Sequence, residues 1–197
     1  MDENRFKRQL DFILEIDREK NIFRQTHITG YERRENDAEH AWHMAVMIYL
    51  LREYANESFD VARAMIMALI HDVVEIDAGD TYAYDEAALA TKDEREKAAA
   101  DRIFGILPPD QRDELRSLFE EFEEGKTPEA KFARTMDNFQ PLLLNDSNDG
   151  GDWREHGVTR SQITRRQKYS QLGSDTIWDY TSRMIDRNVK TGNIKDE

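Results

Sequence analysis

The sequence predicts an all-α protein, one domain folded as a helical bundle, and three observations carry that expectation. Apolar residues recur at helical spacing along most of the 197 residues. Capping residues and glycine or proline stops fall where those stretches begin and end. No segment shows the alternating pattern of a half-buried strand. The length fits a single domain, 1–197, with enough chain to bury a core.

Each element has its own reason. Residues 5–20 place Phe12, Ile13 and Ile16 between charges and give an amphipathic first helix, and 21–35 is expected as a loop carrying Arg24, His27, Arg33 and Arg34. Asn36 and Glu39 form a capping-box pattern. The helix it opens runs to about Ala55, with Ala41, Met44, Ala45, Ile48 and Leu51 on one face. Asp60 can cap the next helix, expected to run through His71-Asp72. Its stretch from Ala64 to Ile70 is nearly apolar around the whole wheel, which marks a buried central helix. After Gly79 the pattern breaks into a loop over Asp80-Thr81-Tyr82-Ala83-Tyr84-Asp85. Helices follow at about 91–106 and 110–124, parted by Pro108-Pro109 and ended by Gly125. Thr127-Pro128 sets an N-cap with proline at the first helical position, and that helix reaches Leu144. A polar loop is expected from Asn145 to Asp152. Thr159 with Gln162 makes another capping box, and Ser174 caps a last helix bearing Ile177, Trp178 and Met184.

Charge narrows the partners. The 28 Lys+Arg against 41 Asp+Glu leave a net charge of −13, which repels a polyanion and argues against nucleic acid. A small anion can still be held where a metal and a few arginines reverse the field. There is no cysteine, hence no disulfide framework and no thiolate chemistry. No apolar run approaches the roughly 20 residues of a membrane span. The acidic start, Met1-Asp2-Glu3-Asn4, lacks a signal-peptide pattern, and a cytoplasmic protein is expected.

The chemistry sits where the buried helix ends. His71 and the carboxylates of Asp72, Glu75 and Asp77 fall within seven positions. Charged groups rarely go inside unless they are paired or bind a metal. His40, His71 with Asp72, and Asp137 come from three separate helices. Two imidazole nitrogens and two carboxylate oxygens suit a borderline divalent ion such as Mn, Co, Fe, Ni or Zn better than calcium, and Mg also stays open. Successive helix positions differ by about 100°, so His71 and Asp72 can both reach one ion off the helix shoulder. Glu75, four residues on, shares the face of His71 and is placed to contact a water on the ion. A bare His-Asp pair, by contrast, is more often a structural accident.

Three longer words make the signal specific: Glu35-Asn36-Asp37-Ala38-Glu39-His40, then His71-Asp72-Val73-Val74-Glu75-Ile76-Asp77-Ala78-Gly79-Asp80-Thr81, then Asp137-Asn138-Phe139-Gln140-Pro141-Leu142-Leu143. In that order, over about residues 5–185, they resemble the HD-domain metal-dependent phosphohydrolases and within them the 5′-deoxynucleotidase branch. The resemblance implies an all-helical fold, often a homodimer, that removes the 5′ phosphate from deoxynucleoside monophosphates. It implies His40, His71, Asp72 and Asp137 as ligands of a divalent metal cation and Glu75 as the group that positions or activates the attacking water. It also implies Arg24 as a phosphate contact. The residue after it is Gln25, where bacterial members of the branch carry tryptophan, and the loop from Arg24 to His40 is one residue longer. A divalent ion would lower the pKa of a bound water and, with Arg24 and Arg33, offset charge on the phosphoryl oxygens. Asp80-Thr81 are candidates for a sugar hydroxyl or the leaving oxygen.

Plainer readings stand beside these. His43 is expected in the core or behind the ligands, and His27 and His156 as solvated loop residues. Arg33 and Arg34 can simply pair with Glu32 and Glu35, and Asp77 can pair locally. The methionines Met44, Met47, Met65 and Met67 are core packing, and Glu120-Glu121-Phe122-Glu123-Glu124 is a solvated helix face. The function expected is hydrolysis of (deoxy)nucleoside 5′-monophosphates, a small-molecule nucleotide being the partner. The alternatives are a phosphodiesterase or pyrophosphohydrolase on a signalling nucleotide, or a nucleotide-sensing protein that turns nothing over.

Overall fold

The computed structural model describes residues 2–79, 92–167 and 169–197. Helix α1 (Glu3–Ile16) begins at Asp2, whose carboxylate accepts from the N–H groups of Asn4 and Arg5. A short 3₁₀ turn, Asp17–Asn21, leads into strand β1 (Phe23–His27). Strand β2 (Arg34–Asn36) returns antiparallel to it. Helix α2 (Asp37–Leu51) follows at once, opened by the capping box of Asn36 and Glu39, with both reciprocal bonds formed at 2.9 and 3.2 Å. Helix α3 (Val61–Ile70) is capped by Asp60. A single turn, α4 (Glu75–Ala78), ends at Gly79, and α5 (Lys92–Phe104) and α6 (Pro109–Glu124) come next. The long α7 (Pro128–Ser147) starts on Thr127. Three short helices, α8 (Gly151–Glu155), α9 (Arg160–Gln167) and α10 (Ser170–Gly173), precede α11 (Asp175–Lys190), which Ser174 caps.

Helix α7 is the hub, with α2, α3, α6, α10 and α11 all packed against it. Its Phe132, Ala133 and Met136 meet Met44 and Ile48 of α2 and Met67 and Ala68 of α3 in one continuous core. The low polarity of α2 and α3 is thus spent on burial. Ile177 and Met184 of α11 are buried in the same core.

The fold is helical as expected, but the loop expected at 21–35 contains a hairpin. Its register shifts between the Phe23–Asn36 and His27–Arg34 pairs. The hairpin turns through Gly30 and Tyr31, with φ of 93° and 61°, and Ile28 N–H bonds Arg33 C=O at 3.0 Å. What holds it is tertiary: Asp152 of α8 accepts from His27 N–H at 3.0 Å and lies 2.6 Å from His27 Nδ1. The expectation that His27 is solvated is corrected by that pair. The loop expected at 145–152 is shorter, because α7 continues to Ser147 and α8 begins at Gly151. Asn145 Nδ2 donates to Pro141 C=O at 3.0 Å inside that last turn.

Candidate metal centre and active site

Helix α3 ends one residue before the His-Asp pair. Beyond Ile70 the backbone closes bonds over three residues rather than four, Glu75 N–H to Asp72 C=O at 2.8 Å and Ile76 N–H to Val73 C=O at 3.3 Å. This is the tighter 3₁₀ winding. The expectation of an α-helix running through Asp72 is corrected: the chain stops, turns and restarts at Glu75. Both carboxylates still line one cavity.

The orientation of His71 follows from its neighbour. Its Nδ1 is 2.8 Å from Ala68 C=O, and a carbonyl can only accept. Nδ1 therefore carries the proton in the neutral ring, and Nε2 offers a lone pair. Among the described residues that Nε2 is buried without a hydrogen-bond partner, 3.1 Å from Asp72 Oδ2 and 3.9 Å from Asp137 Oδ1. His40 of α2 brings its Nε2 to 3.2 Å from the same Asp137 oxygen. Phe122 flanks the His71 ring at 4.9 Å between centroids. One donor atom each from His40, His71 and Asp72 lie within 4.8 Å of one another, and Asp37, Asp72 and Glu75 form a second such group. Three helix ends and one helix middle thus meet at one point. An orphaned imidazole nitrogen aimed at carboxylates is a donor set that fits a divalent cation.

The charges of these groups hold one another ionised against burial. Burial opposes the charged form of His71, yet Asp72 and Asp137 push its pKa up to about 9. Burial likewise opposes ionisation of Asp72, but His71 and Arg24 hold its carboxyl well below the usual range. Asp137 is lowered in the same way, against burial, by the His40 hydrogen bond and by Arg166. Arg24, reached along β1, lies across the group: its Nη1 is 2.6 Å from Asp72 Oδ2 and 3.2 Å from Asp37 Oδ1. Burial works against that guanidinium, and Asp72 and Asp37 still raise its pKa.

A cavity of about 320 Å³ opens onto this cluster. Its lining includes Arg24, His71, Asp72, Glu75 and Asp137, with Phe122 and Trp153 as apolar walls and Arg134, Arg165 and Arg166 as further cations. Arg33 is not brought to it, a correction to its expected phosphate role: Glu39 holds its guanidinium on both nitrogens, at 2.6 and 2.8 Å, on the exposed side of the hairpin. Asp77 pairs with Arg102 instead of facing the cluster. Asp80 and Thr81 lie outside the described residues. His43 stands behind His40, its Nδ1 3.1 Å from Gln140 Nε2, and His156 is exposed at the cavity edge.

The sequence reading did not single out Asp37, Glu35, Gln140, Glu19 or Trp153. Asp37 and Glu35 flank a capping box, where acidic residues need no further explanation. For Gln140 a signal existed: it follows Asp137 by three positions and so shares its helix face.

Glu19 is the least expected member. It is 5 % exposed, its Oε1 has no hydrogen-bond partner among the described residues, and burial with the Asp72 charge nearby pushes its carboxyl up to about 8. A carboxyl raised on folding is protonated in the native state, so its contribution is complete below its ordinary value of 4.5 and fades as pH climbs toward 8. Chelator-treated protein should therefore lose stability over that window. Glu19→Gln should be more stable than wild type at pH 8–9, by on the order of 2 kcal/mol, and flatter with pH. Denaturant melts at several pH values check this; parallel curves for the two proteins would contradict it.

Comparison with known proteins agrees with this geometry. The HD domain family profile matches residues 16–178. A crystal structure of a predicted metal-dependent phosphohydrolase from Magnetospirillum magnetotacticum is 47% identical, with a TM-score of 0.93 over 98% of this chain and 96% of that one. The chain belongs to the HD-domain family. The mouse (Mus musculus) protein named 5′-deoxynucleotidase HDDC2 is 34% identical over 112 residues, 57% of this chain and 55% of that protein. The chain spans about half the length of the curated relatives it matches. A conserved hypothetical protein from Pyrococcus furiosus, 22% identical with a TM-score of 0.63 over 92% of this chain and 99% of that one, shares the fold.

Proposed function

We propose that the chain is a metal-dependent 5′-nucleotidase that hydrolyses deoxynucleoside monophosphates. The observation that supports this most is the orphaned His71 Nε2, facing Asp72 and Asp137 while Nδ1 is held by a backbone carbonyl, in a cavity that Glu75 and Arg24 share. Relatives named 5′-deoxynucleotidase, at 30–34% identity, point to the same substrate class.

His40, His71, Asp72 and Asp137 are the residues that would hold the ion. When bound, a divalent cation acidifies water and offsets charge on phosphoryl oxygens. Glu75 accepts the proton of the attacking water. Arg24 spends Nη1 on Asp72 and Asp37, so its remaining N–H groups are the ones offered to the phosphate. The pairing also fixes the guanidinium before substrate arrives, which lowers the ordering cost of binding. Water adds to phosphorus, the bond to the 5′ oxygen breaks, that oxygen takes up the proton that Glu75 received, and phosphate and nucleoside leave. Phosphate release from each nucleoside 5′-monophosphate, with Mn or Co added, tests the reading. Tight nucleotide binding with no release from any of them would favour a sensor.

A homodimer in the cytoplasm belongs to the same proposal. No described helix is long and apolar enough to cross a membrane. The face of α11 that bears Ile177 and Met184 is filled by the chain's own core. Exposed Trp42, Val46, Tyr49 and Leu50 lie on one side of α2 and support that helix as the contact. Light scattering should give about twice the 23.2 kDa of one chain, and Trp42→Glu should return it to one. Wild type at one chain mass at every concentration would rule the dimer out.

A further inference from the structure

Gln140 is fully buried in the middle of α7, and each of its polar atoms has a partner. Its Nε2 is 2.6 Å from Glu35 Oε1 and 3.1 Å from His43 Nδ1, and its Oε1 is 3.0 Å from His40 Nδ1. Glu35 is 3 % exposed. The carboxylate oxygen accepts, and the amide turns its NH₂ toward Glu35. The amide oxygen is then forced toward His40, and an oxygen there requires a proton on His40 Nδ1. Flipping the amide would set two acceptors 2.6 Å apart. Glu35 Oε2, at 3.6 Å from His40 Nδ1, is beyond hydrogen-bond reach.

We infer that Gln140 and Glu35 are a positioning pair that sets the tautomer of His40, so that Nε2, the nitrogen 3.2 Å from Asp137, is the one left with a lone pair for the cation. This rests on the metal-site reading above. His71 reaches the same state through a backbone carbonyl, whereas His40 depends on two side chains 105 residues apart in sequence. Gln140 and Asp137 share one helix, three positions apart, so α7 supplies a ligand and the orientation of its neighbour together.

The test uses ¹⁵N-labelled imidazoles and Co(II) titration on the full chain. In metal-free wild type, above the His40 midpoint that the same spectra show, His40 should be a single Nδ1–H form. Glu35→Gln keeps the shape but lets the amide face either way, and it should give mixed tautomers. Its Co(II) affinity should fall about 10–100-fold. Gln140→Leu should match it, and His43→Leu, which leaves the Glu35–Gln140–His40 chain intact, should keep the Nδ1–H form. Should Gln140→Leu not fold, Glu35→Gln decides alone. An unmixed Nδ1–H form with wild-type Co(II) affinity in Glu35→Gln would overturn the inference. Failure of wild type to bind Co(II) would sink the metal reading, while the metal-free spectra still judge the positioning pair.

Discussion

Glu75→Gln should lower kcat by about 10²–10⁴, the range expected when a general base is removed with its shape kept. The position supports so large an effect. Glu75 is 5 % exposed and offers an oxygen within 4.8 Å of those of Asp72 and Asp37. The turn from His71 to Glu75 fixes it by backbone bonds at both ends. The variant should keep its metal and still bind a nucleoside monophosphate by calorimetry. Arg24→Ala should differ, raising KM as well, because a phosphate contact acts on ground and transition state alike. Steady-state phosphate release separates the two. Wild-type turnover in Glu75→Gln would remove it from the reaction and turn attention to carboxylates elsewhere in the cavity.

Asp72→Ala should do more damage, and of two kinds. It deletes the donor that the His40–His71 group and the Asp37–Glu75 group share, so elemental analysis should fall from about one divalent ion per chain to none, and phosphate release to background. It also strips Arg24 of its closer partner. The two side chains are 11 % and 13 % exposed, and breaking a nearly buried pair from one side costs about 3 kcal/mol even with Asp37 remaining. The loss should persist in chelator-treated protein, where no metal is present to explain it. A variant that matches wild type in bound ion and in metal-free stability would contradict both claims.

How legible this was depended on how local the cause is. Caps at Asn36, Asp60, Thr127 and Ser174 announce their helices because the bond that makes them spans three residues. The His71-Asp72 pair stood out because charge at the end of an apolar helix must have a partner, whatever that partner is. The hairpin could not be read, since its strands are short, carry few apolar residues and are held by Asp152, far along the chain. Arg33 looked as available as Arg24; only the folded hairpin shows that Glu39 takes one and Asp72 the other. The end of α3 at Ile70 was hidden too, because a switch from four-residue to three-residue bonds leaves no mark in composition.

The bonds around Gln140 span about a hundred residues of sequence, from Glu35 and His40 to the far side of the core. Contacts of that separation require the intervening chain to be brought together first, and they are expected to close late in folding. Interactions absent from the transition state govern how fast a protein comes apart rather than how fast it forms. The same amide is then expected to act as a latch on the native state: Gln140→Leu should unfold faster than wild type in stopped-flow denaturant jumps and refold at the wild-type rate, and slowed refolding would contradict this.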